Sequence, residues 1–168
     1  MKNAPNSSDL LKQSLKNLEV LLQSIPSQKW SATPKIGLWS VAEIIHHLIL
    51  VEVKGLHDLK DIVEGRQDSI AIDSTYSPNL DQIKHHQTKL KTIAAYQPSV
   101  GIPSEYLLDG MRRARRETIE FTQKVGAQRL GSFGIRTLWV GVVNGSEYIE
   151  CLANHMTRHM EQIKQAAA

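Results

Sequence analysis

The chain has 168 residues and a mass of 18.8 kDa, the size of one ordinary domain, and it can bury a core without disulfides or a structural metal. Twenty basic and seventeen acidic residues leave a net charge of +3, an excess too small to indicate a nucleic-acid-binding protein. The single cysteine, Cys151, cannot form an internal disulfide, and the first residues lack the apolar core of a signal peptide. We therefore expect one domain over residues 1–168, in a reducing, cytoplasmic setting, with no membrane span.

The first predicted element is an amphipathic helix. Residues 11–25 carry leucine or isoleucine at alternating spacings of four and three, the pattern of a helix that packs lengthwise against others. Pro26 ends this helix, because proline lacks the amide hydrogen that a helix interior needs. Pro34 and Gly37 then predict a loop.

A second helix begins after a capping box. Ser40 and Glu43 have the S-x-x-E spacing, in which each side chain accepts a hydrogen bond from an otherwise free backbone amide. We therefore expect a helix over residues 41–64. Gly55 weakens its middle by about 1 kcal/mol relative to alanine.

The third long helix follows a stretch with weaker signals. Residues 65–101 contain a loop, a short helix within residues 80–96 and a turn-rich connection. Pro103 and Ser104 then open a helix that is predicted to end at Gly126, which acts as a C-terminal cap.

Residues 111–116, MRRARR, hold the one local concentration of positive charge in the sequence. Four arginines are expected around the outward arc of the third helix: Arg112, Arg113, Arg115 and Arg116. We favour a solvated helix face, partnered by Glu117 and Glu120, over a phosphate-binding patch, because surface charge usually signifies little.

The last predicted helix follows a glycine-rich connection. Residues 131–145 predict an ordered segment with a short strand or a helical turn. Asn144 and Glu147 repeat the capping-box spacing and mark the start of the last helix. Four amphipathic helices and no convincing run of paired strands predict an all-α bundle.

The last helix carries a histidine pair that could bind a metal ion. His155 and His159 are four residues apart, so they lie one turn apart on one face and both imidazoles can reach one ion. They fall in the apolar stripe between Leu152 and Ile163, where an unsatisfied imidazole costs about 1 to 3 kcal/mol. Two solvated histidines are the alternative interpretation, and a metal ion would satisfy both rings at once.

A third ligand is expected from the second helix, because two protein ligands seldom make a stable site. His46 and His47 point about 100° apart on a helix, so only one of them faces inward. The apolar stripe that includes Leu48 and Val51 selects His47. The remaining histidines are interpreted as surface or satisfied side chains: His57, His85 and His86.

Three neutral imidazoles would leave a coordination position open, the pattern of a catalytic rather than a closed structural zinc site. There an ion could lower the pKa of a bound water to roughly 7, hold a thiolate or polarise a carbonyl. Cys151, one turn before His155, is a candidate fourth ligand, but we interpret it as a small buried residue lining the cavity. Histidines suit zinc, nickel, copper and iron alike, so a divalent metal is predicted without being named.

Two motifs resemble the DinB/YfiT-like superfamily of metal-binding four-helix bundles. PKIGLWSVAEIIHHLILVE matches the first, with His47 at the family's histidine-leucine pair. FGIRTLWVGVVNGSEYIECLANHMTRHMEQI matches the second, with His155 and His159 at the family's paired histidines. The likeness covers most of the chain. The sequence differs from the family pattern three residues after His47, where thiol transferases of the family often carry an aspartate and this chain has Leu50.

The resemblance implies an all-α, up-down four-helix bundle with a long crossover connection. It implies a divalent ion on three histidines, with nickel or zinc as first candidates and iron or manganese as others. It also implies frequent homodimers and, in some relatives, the transfer of a small thiol such as bacillithiol, mycothiol or glutathione to an electrophile. Residues 65–101, which match poorly, are expected to shape the pocket mouth.

The sequence leaves three functions open. The first is a metal-dependent enzyme, either a small-thiol S-transferase or a hydrolase with Glu43 or Glu52 as a candidate base. The second is a non-catalytic, metal-stabilised dimeric bundle that acts in sensing or protein interaction. The third, nucleic-acid binding through residues 111–116, predicts steeply salt-dependent association.

Overall fold

A computed structural model of the chain shows four long helices and a small hairpin. It describes residues 6–32, 38–73, 75–85 and 92–168. The α-helices are α1 (Ser7–Gln23), α2 (Val41–Val63), α3 (Gln82–His85), α4 (Ser104–Val125), α5 (Ala127–Leu130) and α6 (Gly145–Ala167). Single turns of 3₁₀ helix lie at Ser27–Lys29 and Ala94–Tyr96. None of the helices in these described ranges is long and apolar enough to cross a membrane.

The long helices begin and end where their cap residues predict. Ser40 and Glu43 form the capping box of α2, and Asn144 and Glu147 form that of α6. Gly126 follows α4 with a φ of 79°, a left-handed conformation that favours glycine. The predicted starts of α2 and α6 and the predicted end of α4 are confirmed.

Two short strands lie between α5 and α6. β1 (Gly134–Thr137) pairs antiparallel with β2 (Gly141–Asn144), and Gly134 also bridges to Ile70. The predicted strand in this connection is confirmed, but the expectation of no paired strands is wrong for this segment. The described chain is therefore mostly helical with one two-stranded sheet, consistent with an all-α fold.

The long helices share a core. α1 packs against α4 and α6, and α2 packs against the same two helices. Leu11, Leu18 and Leu22 of α1 are buried, as their spacing predicts. Ser14 is buried as well, whereas Leu15 is only half-buried, so the inner face of α1 is slightly rotated from the predicted stripe.

A buried ion pair crosses this core and corrects the expectation for Arg115. The Arg115 side chain is fully buried, with Nε 3.0 Å from Oε1 of Glu52 and Nη2 donating to Oε2 at 3.0 Å. Nη1 donates to the Ser14 hydroxyl and to the Leu11 carbonyl. Arg115 lies one turn after buried Met111, so it faces inward and the prediction of an outward side chain is wrong.

The other three arginines of residues 111–116 are exposed, as predicted. Arg112 pairs at 2.6 Å with Glu19 of α1, and not with the expected Glu117 or Glu120. The charge of this segment is therefore divided between a surface ion pair, exposed side chains and the buried pair.

The long connection between α2 and α4 is anchored to α6 and to the hairpin. The Asn154 side chain donates to the Leu80 carbonyl, and the Tyr76 hydroxyl donates to the Val140 carbonyl. Of the short helix predicted within residues 80–96, only α3 and the second 3₁₀ turn are observed among the described residues, and residues 92–93 are not helical. Residues 86–91, and His86 with them, lie outside the described residues.

Candidate metal centre

Three buried histidines converge between α2 and α6. His47 lies in the second turn of α2, and His155 and His159 lie one turn apart near the middle of α6. These residues are 6%, 3% and 4% exposed, respectively, and one ring nitrogen of each lies within 4.8 Å of the others. The structure thus brings together the three side chains that the sequence singled out.

The backbone of the long connection orients the His47 ring. Nδ1 of His47 lies 2.8 Å from the carbonyl oxygen of Tyr96. A neutral ring that donates its proton from Nδ1 keeps the lone pair of Nε2 free for a metal. Metal-bound histidines commonly donate their second ring N–H to such a carbonyl. Tyr96 was not found by sequence reasoning, because a backbone oxygen leaves no signal in residue types.

The two histidines of α6 face each other through Nε2. These atoms are 2.9 Å apart, whereas two nitrogens on one tetrahedral zinc ion are about 3.3 Å apart, given Zn–N bonds of about 2.0–2.1 Å. A small side-chain adjustment would therefore accommodate one cation. Nδ1 of His159 is buried without a hydrogen-bond partner of acceptable geometry among the described residues. Gln162, one turn on, is close enough to raise the pKa of that ring but does not satisfy this nitrogen.

The surroundings keep all three rings neutral. Burial is the main cause of the lowered pKa of each ring, and it takes that of His159 to about 3. The positive charge of Arg158 lowers all three pKa values further, and Arg115 adds to this effect at His155. Because the neutral imidazole is the metal-binding form, the cluster is ready to bind a cation at neutral pH.

Aromatic rings pack against the histidines from outside α2 and α6. The Trp39 ring centroid is 4.9 Å from that of His47, and the Trp139 centroid is 4.8 Å from that of His155. The Tyr96 ring meets His47 edge-on at 6.5 Å. The sequence reading assigned none of these rings to the site, because they come from loops whose path depends on tertiary contacts.

The two glutamates considered as general bases are engaged elsewhere. Glu43 accepts hydrogen bonds from the amide and the hydroxyl of Ser40 in the capping box. Glu52 is paired with Arg115 in the core. Neither carboxylate belongs to the group of convergent ligand atoms found among the described residues. The structure therefore gives no support to their role as bases.

Cys151 is fully buried in the core and does not belong to the convergent group. Burial raises the pKa of its thiol to about 12, so the thiol is protonated at neutral pH. The interpretation of Cys151 as a small buried residue is confirmed. A role as fourth ligand has no support in the arrangement of the described side chains.

The remaining described histidines lie outside the cluster. Nδ1 of His46 accepts a hydrogen bond from the amide of Ser99 at 2.9 Å. His57 is exposed and lies 3.1 Å from Asp61, and His85 is exposed at the end of α3. Their interpretation as surface or satisfied side chains is confirmed for His57 and His85.

The donor set of the cluster fits a divalent metal. Three neutral nitrogen donors suit zinc, nickel, copper and iron, and they bring no negative charge of their own. A cation bound here would thus keep its charge and favour an anionic partner at any further coordination position.

Comparison with known proteins identifies the family of the chain. The sequence model of the DinB superfamily matches residues 10–163, a span that contains all three clustered histidines. No curated protein matches the chain significantly. Because the family model covers nearly all of the 168 residues, the chain belongs to the DinB superfamily.

Proposed function

We propose that this protein binds one divalent metal ion through His47, His155 and His159 and uses it in the reaction of a small thiol with an electrophile. The observation that carries the proposal is the convergence of three buried, neutral imidazoles from helices far apart in sequence. The Nε2 atoms of His155 and His159 lie 2.9 Å apart and can form at most one hydrogen bond with each other, so a shared partner that binds both nitrogens would satisfy the pair better. A metal ion offers such a shared partner, and nickel and zinc, which the family resemblance implies, are the first candidates among the metals that suit these donors.

The ion, when bound, would stabilise an anion such as a thiolate or hydroxide at its open position. The three histidines hold it without neutralising its charge, and the Tyr96 carbonyl orients the His47 ring. The positive charge of Arg158 near all three rings also favours an anionic thiolate over a neutral thiol. Burial strengthens these interactions, because they act in a low dielectric.

Thiol transfer is favoured over hydrolysis by the placement of the carboxylates. The two carboxylates considered as bases that would assist a metal-bound water, Glu43 and Glu52, are held in other interactions. A metal-bound thiolate is itself the nucleophile and needs no such base. Leu50, which stands where related transferases often carry an aspartate, means that the proposal rests on the metal centre and not on that residue.

Thiol consumption tests the proposed activity. Protein loaded with nickel or zinc is mixed with glutathione and 1-chloro-2,4-dinitrobenzene, and in parallel with bacillithiol and mycothiol as alternative thiols. We expect consumption with at least one thiol, and loss of that activity in His159→Ala. His57→Ala, which changes an exposed histidine, serves as the matched control and should keep it. Equal rates for wild type and His159→Ala would overturn the transferase proposal.

A non-catalytic, metal-stabilised bundle is the second candidate. It is favoured by the position of the ligands on α2 and α6, because a bound ion would cross-link two helices that also pack together. Under this alternative, chelation lowers the melting temperature while no thiol and electrophile pair is turned over. Sedimentation of the metal-loaded and metal-free forms then tests whether metal also controls a homodimer.

We also infer an up-down arrangement with a long crossover. Glu52 meets Arg115, and Ile49 lies beside Gly110, so residue numbers rise together along α2 and α4. Two neighbouring long helices that run in the same direction need a long connection between them, and residues 64–103, which include the short α3, supply it for α2 and α4. Spin labels at the N-terminal ends of α2 and α4 should therefore lie closer together than labels at opposite ends; the reverse would contradict the crossover.

A further inference from the structure

Three aromatic rings lie between the histidine cluster and solvent. Trp39 precedes α2, Tyr96 belongs to the long connection, and Trp139 lies in the turn between β1 and β2. Each ring is partly exposed, whereas His47 and His155, against which they pack, are buried. We call these three rings the aromatic rim.

Exposed aliphatic side chains accompany the aromatic rim in each of its three segments. Leu38 is 44% exposed beside Trp39, Ile93 is 49% exposed near Tyr96, and Leu138 is 63% exposed beside Trp139. Each of these aliphatic side chains is a close sequence neighbour of one ring of the aromatic rim, so apolar surface is exposed in all three segments. Ligand pockets usually combine such apolar walls with a few convergent polar groups.

We propose that the aromatic rim binds a flat, aromatic group of the substrate while the polar end of that substrate reaches the metal. The inference rests on the proposed metal site and names the class of electrophile, an aromatic or similarly conjugated one. Aromatic pairs gain free energy from offset or edge-on contact beyond the area that they bury. Tryptophan and tyrosine therefore favour a planar ring over a saturated group of the same bulk.

Hydroxamates test this proposal without any turnover, because they bind metal ions directly. The dissociation constants of benzohydroxamate, cyclohexanecarbohydroxamate and acetohydroxamate are measured on the metal-loaded protein. We expect benzohydroxamate to bind about tenfold more tightly than acetohydroxamate and more tightly than the cyclohexane compound. Equal affinities of all three compounds would overturn the proposal that the aromatic rim binds an aromatic group. Failure of all three compounds to bind would count against the metal site itself.

Substitutions in the aromatic rim test whether its rings cause the difference between the hydroxamate affinities. Trp139→Leu and Trp39→Leu should each lower the preference for benzohydroxamate over acetohydroxamate several-fold. Tyr106→Leu, at an aromatic residue that is 69% exposed on α4, is the matched control and should leave this preference unchanged. An unchanged preference in both tryptophan variants would contradict the proposal even if wild type prefers the aromatic compound.

A separate observation concerns two adjacent histidines that hold one segment of the connection. The amide of Ser99 donates to Nδ1 of His46 at 2.9 Å, and Nδ1 of His47 donates to the Tyr96 carbonyl at 2.8 Å. Neighbouring side chains point about 100° apart on a helix, so the segment is held from two directions. Pro98, between these two contacts, is buried. We call residues 96–99 the strap.

We infer that His46 is a positioning residue for the metal site. Its hydrogen bond fixes the strap at Ser99, and the strap in turn presents the Tyr96 carbonyl to His47. Partners that orient metal-bound histidines typically change metal affinity by about 10-fold to 100-fold when they are lost. His46 acts one step further out, through the backbone, so its loss should weaken metal binding without removing a ligand.

The test compares an acceptor with an apolar residue at position 46. His46→Asn keeps a side-chain oxygen that can accept from Ser99, whereas His46→Leu keeps none. Metal affinity, measured against a competing chelator, should fall about tenfold in His46→Leu and be largely rescued in His46→Asn, while His57→Leu stays at wild type. Equal affinities in His46→Leu and wild type, or no rescue by asparagine, would overturn the inference.

Hydrogen exchange separates this inference from the metal proposal. In the metal-free protein, the Ser99 amide should exchange faster in His46→Leu than in wild type or His46→Asn. This measurement needs no metal, so it stands even if the three histidines bind none. Equal exchange of the Ser99 amide in all three proteins would show that His46 does not hold the strap.

Discussion

Cys151 and the three clustered histidines are all buried, and burial keeps both kinds of group neutral. For the thiol this means a raised pKa and little nucleophilicity, because the thiolate is the reactive form. For the imidazoles it means lowered pKa values and free lone pairs, which are what a metal needs. The same physical effect thus argues against Cys151 as a fourth metal ligand, because the thiolate is also the metal-binding form, and it prepares the histidines to bind a metal.

Cys151 should not react with Ellman's reagent in the native protein. With a pKa of about 12 and no exposed surface, the thiol is neither ionised nor accessible at pH 8. One equivalent should react only after the protein is unfolded in guanidinium chloride. Rapid reaction of the native protein would show that the thiol is accessible and would reopen its assignment as a ligand.

The metal-free protein should lose stability as the pH falls below about 6.5. The unfolded chain takes up protons on these histidines near that pH, whereas the folded pKa of His159 is about 3, so acid favours the unfolded state. Stability from this source is complete above about pH 6.5 and declines towards pH 3. Between pH 8 and pH 4, the melting temperature should fall less steeply for His159→Gln than for wild type. Equal slopes for the two proteins would contradict the assignment of this pH dependence to His159.

At the scale of secondary structure elements, the Arg115–Glu52 pair links α4 to α2, and its contact with Ser14 extends the link to α1. Each of these polar residues sits among apolar ones on an inner helix face, and Arg115 donates hydrogen bonds to both Ser14 and Glu52. Nε of Arg115 and Oε1 of Glu52 face each other as an ion pair at 3.0 Å without a hydrogen bond of acceptable geometry. A prediction from sequence that places every charged side chain on the surface is therefore wrong for Arg115. The available signal was positional: Ser14, Glu52 and Arg115 all lie one turn from a buried neighbour.

Glu52→Leu should destabilise the protein by about 3–5 kcal/mol, because it leaves the buried Arg115 cation without its partner. The double variant Glu52→Leu with Arg115→Met should recover most of that loss, since apolar side chains can fill the same space. Urea unfolding of the two single variants and the double variant measures the coupling. Additive losses would mean that the two groups do not act as a pair.

Gly55 of α2 lies close against the Tyr148 side chain of α6. A Cβ at this position would lie 2.7 Å from the Tyr148 hydroxyl oxygen and 3.1 Å from a ring carbon. Gly55→Ala should therefore cost about 1–3 kcal/mol through overpacking, despite the better helix propensity of alanine. Tyr148→Phe removes the closest atom, so the same substitution should cost less in that background. Chemical denaturation of wild type, Gly55→Ala, Tyr148→Phe and the double variant measures these losses of unfolding free energy. An equal loss from Gly55→Ala in both backgrounds would contradict the prediction.

For the molecule as a whole, the sequence predicts the metal-ligand candidates of the site better than the residues that surround them. Helical spacing and the apolar stripe selected His47, His155 and His159, because their positions depend on local periodicity. Tyr96 and Trp139 escaped prediction, because their places depend on how residues 64–103 and the hairpin return to α2 and α6. Local patterns do not encode those tertiary contacts. The pairing of β1 with β2 is a local contact across residues 138–140, and it was missed because strands of four residues give a weak periodic signal.

The metal content of the protein, purified without a histidine tag and measured by elemental analysis, tests the central claim most directly. Loading with nickel or zinc followed by desalting should leave about one ion per chain in wild type and in His57→Ala. His47→Ala, which removes the ligand from α2, should retain far less. Wild-type protein that holds no metal, or a His47→Ala variant that holds as much as wild type, would contradict the three-histidine site.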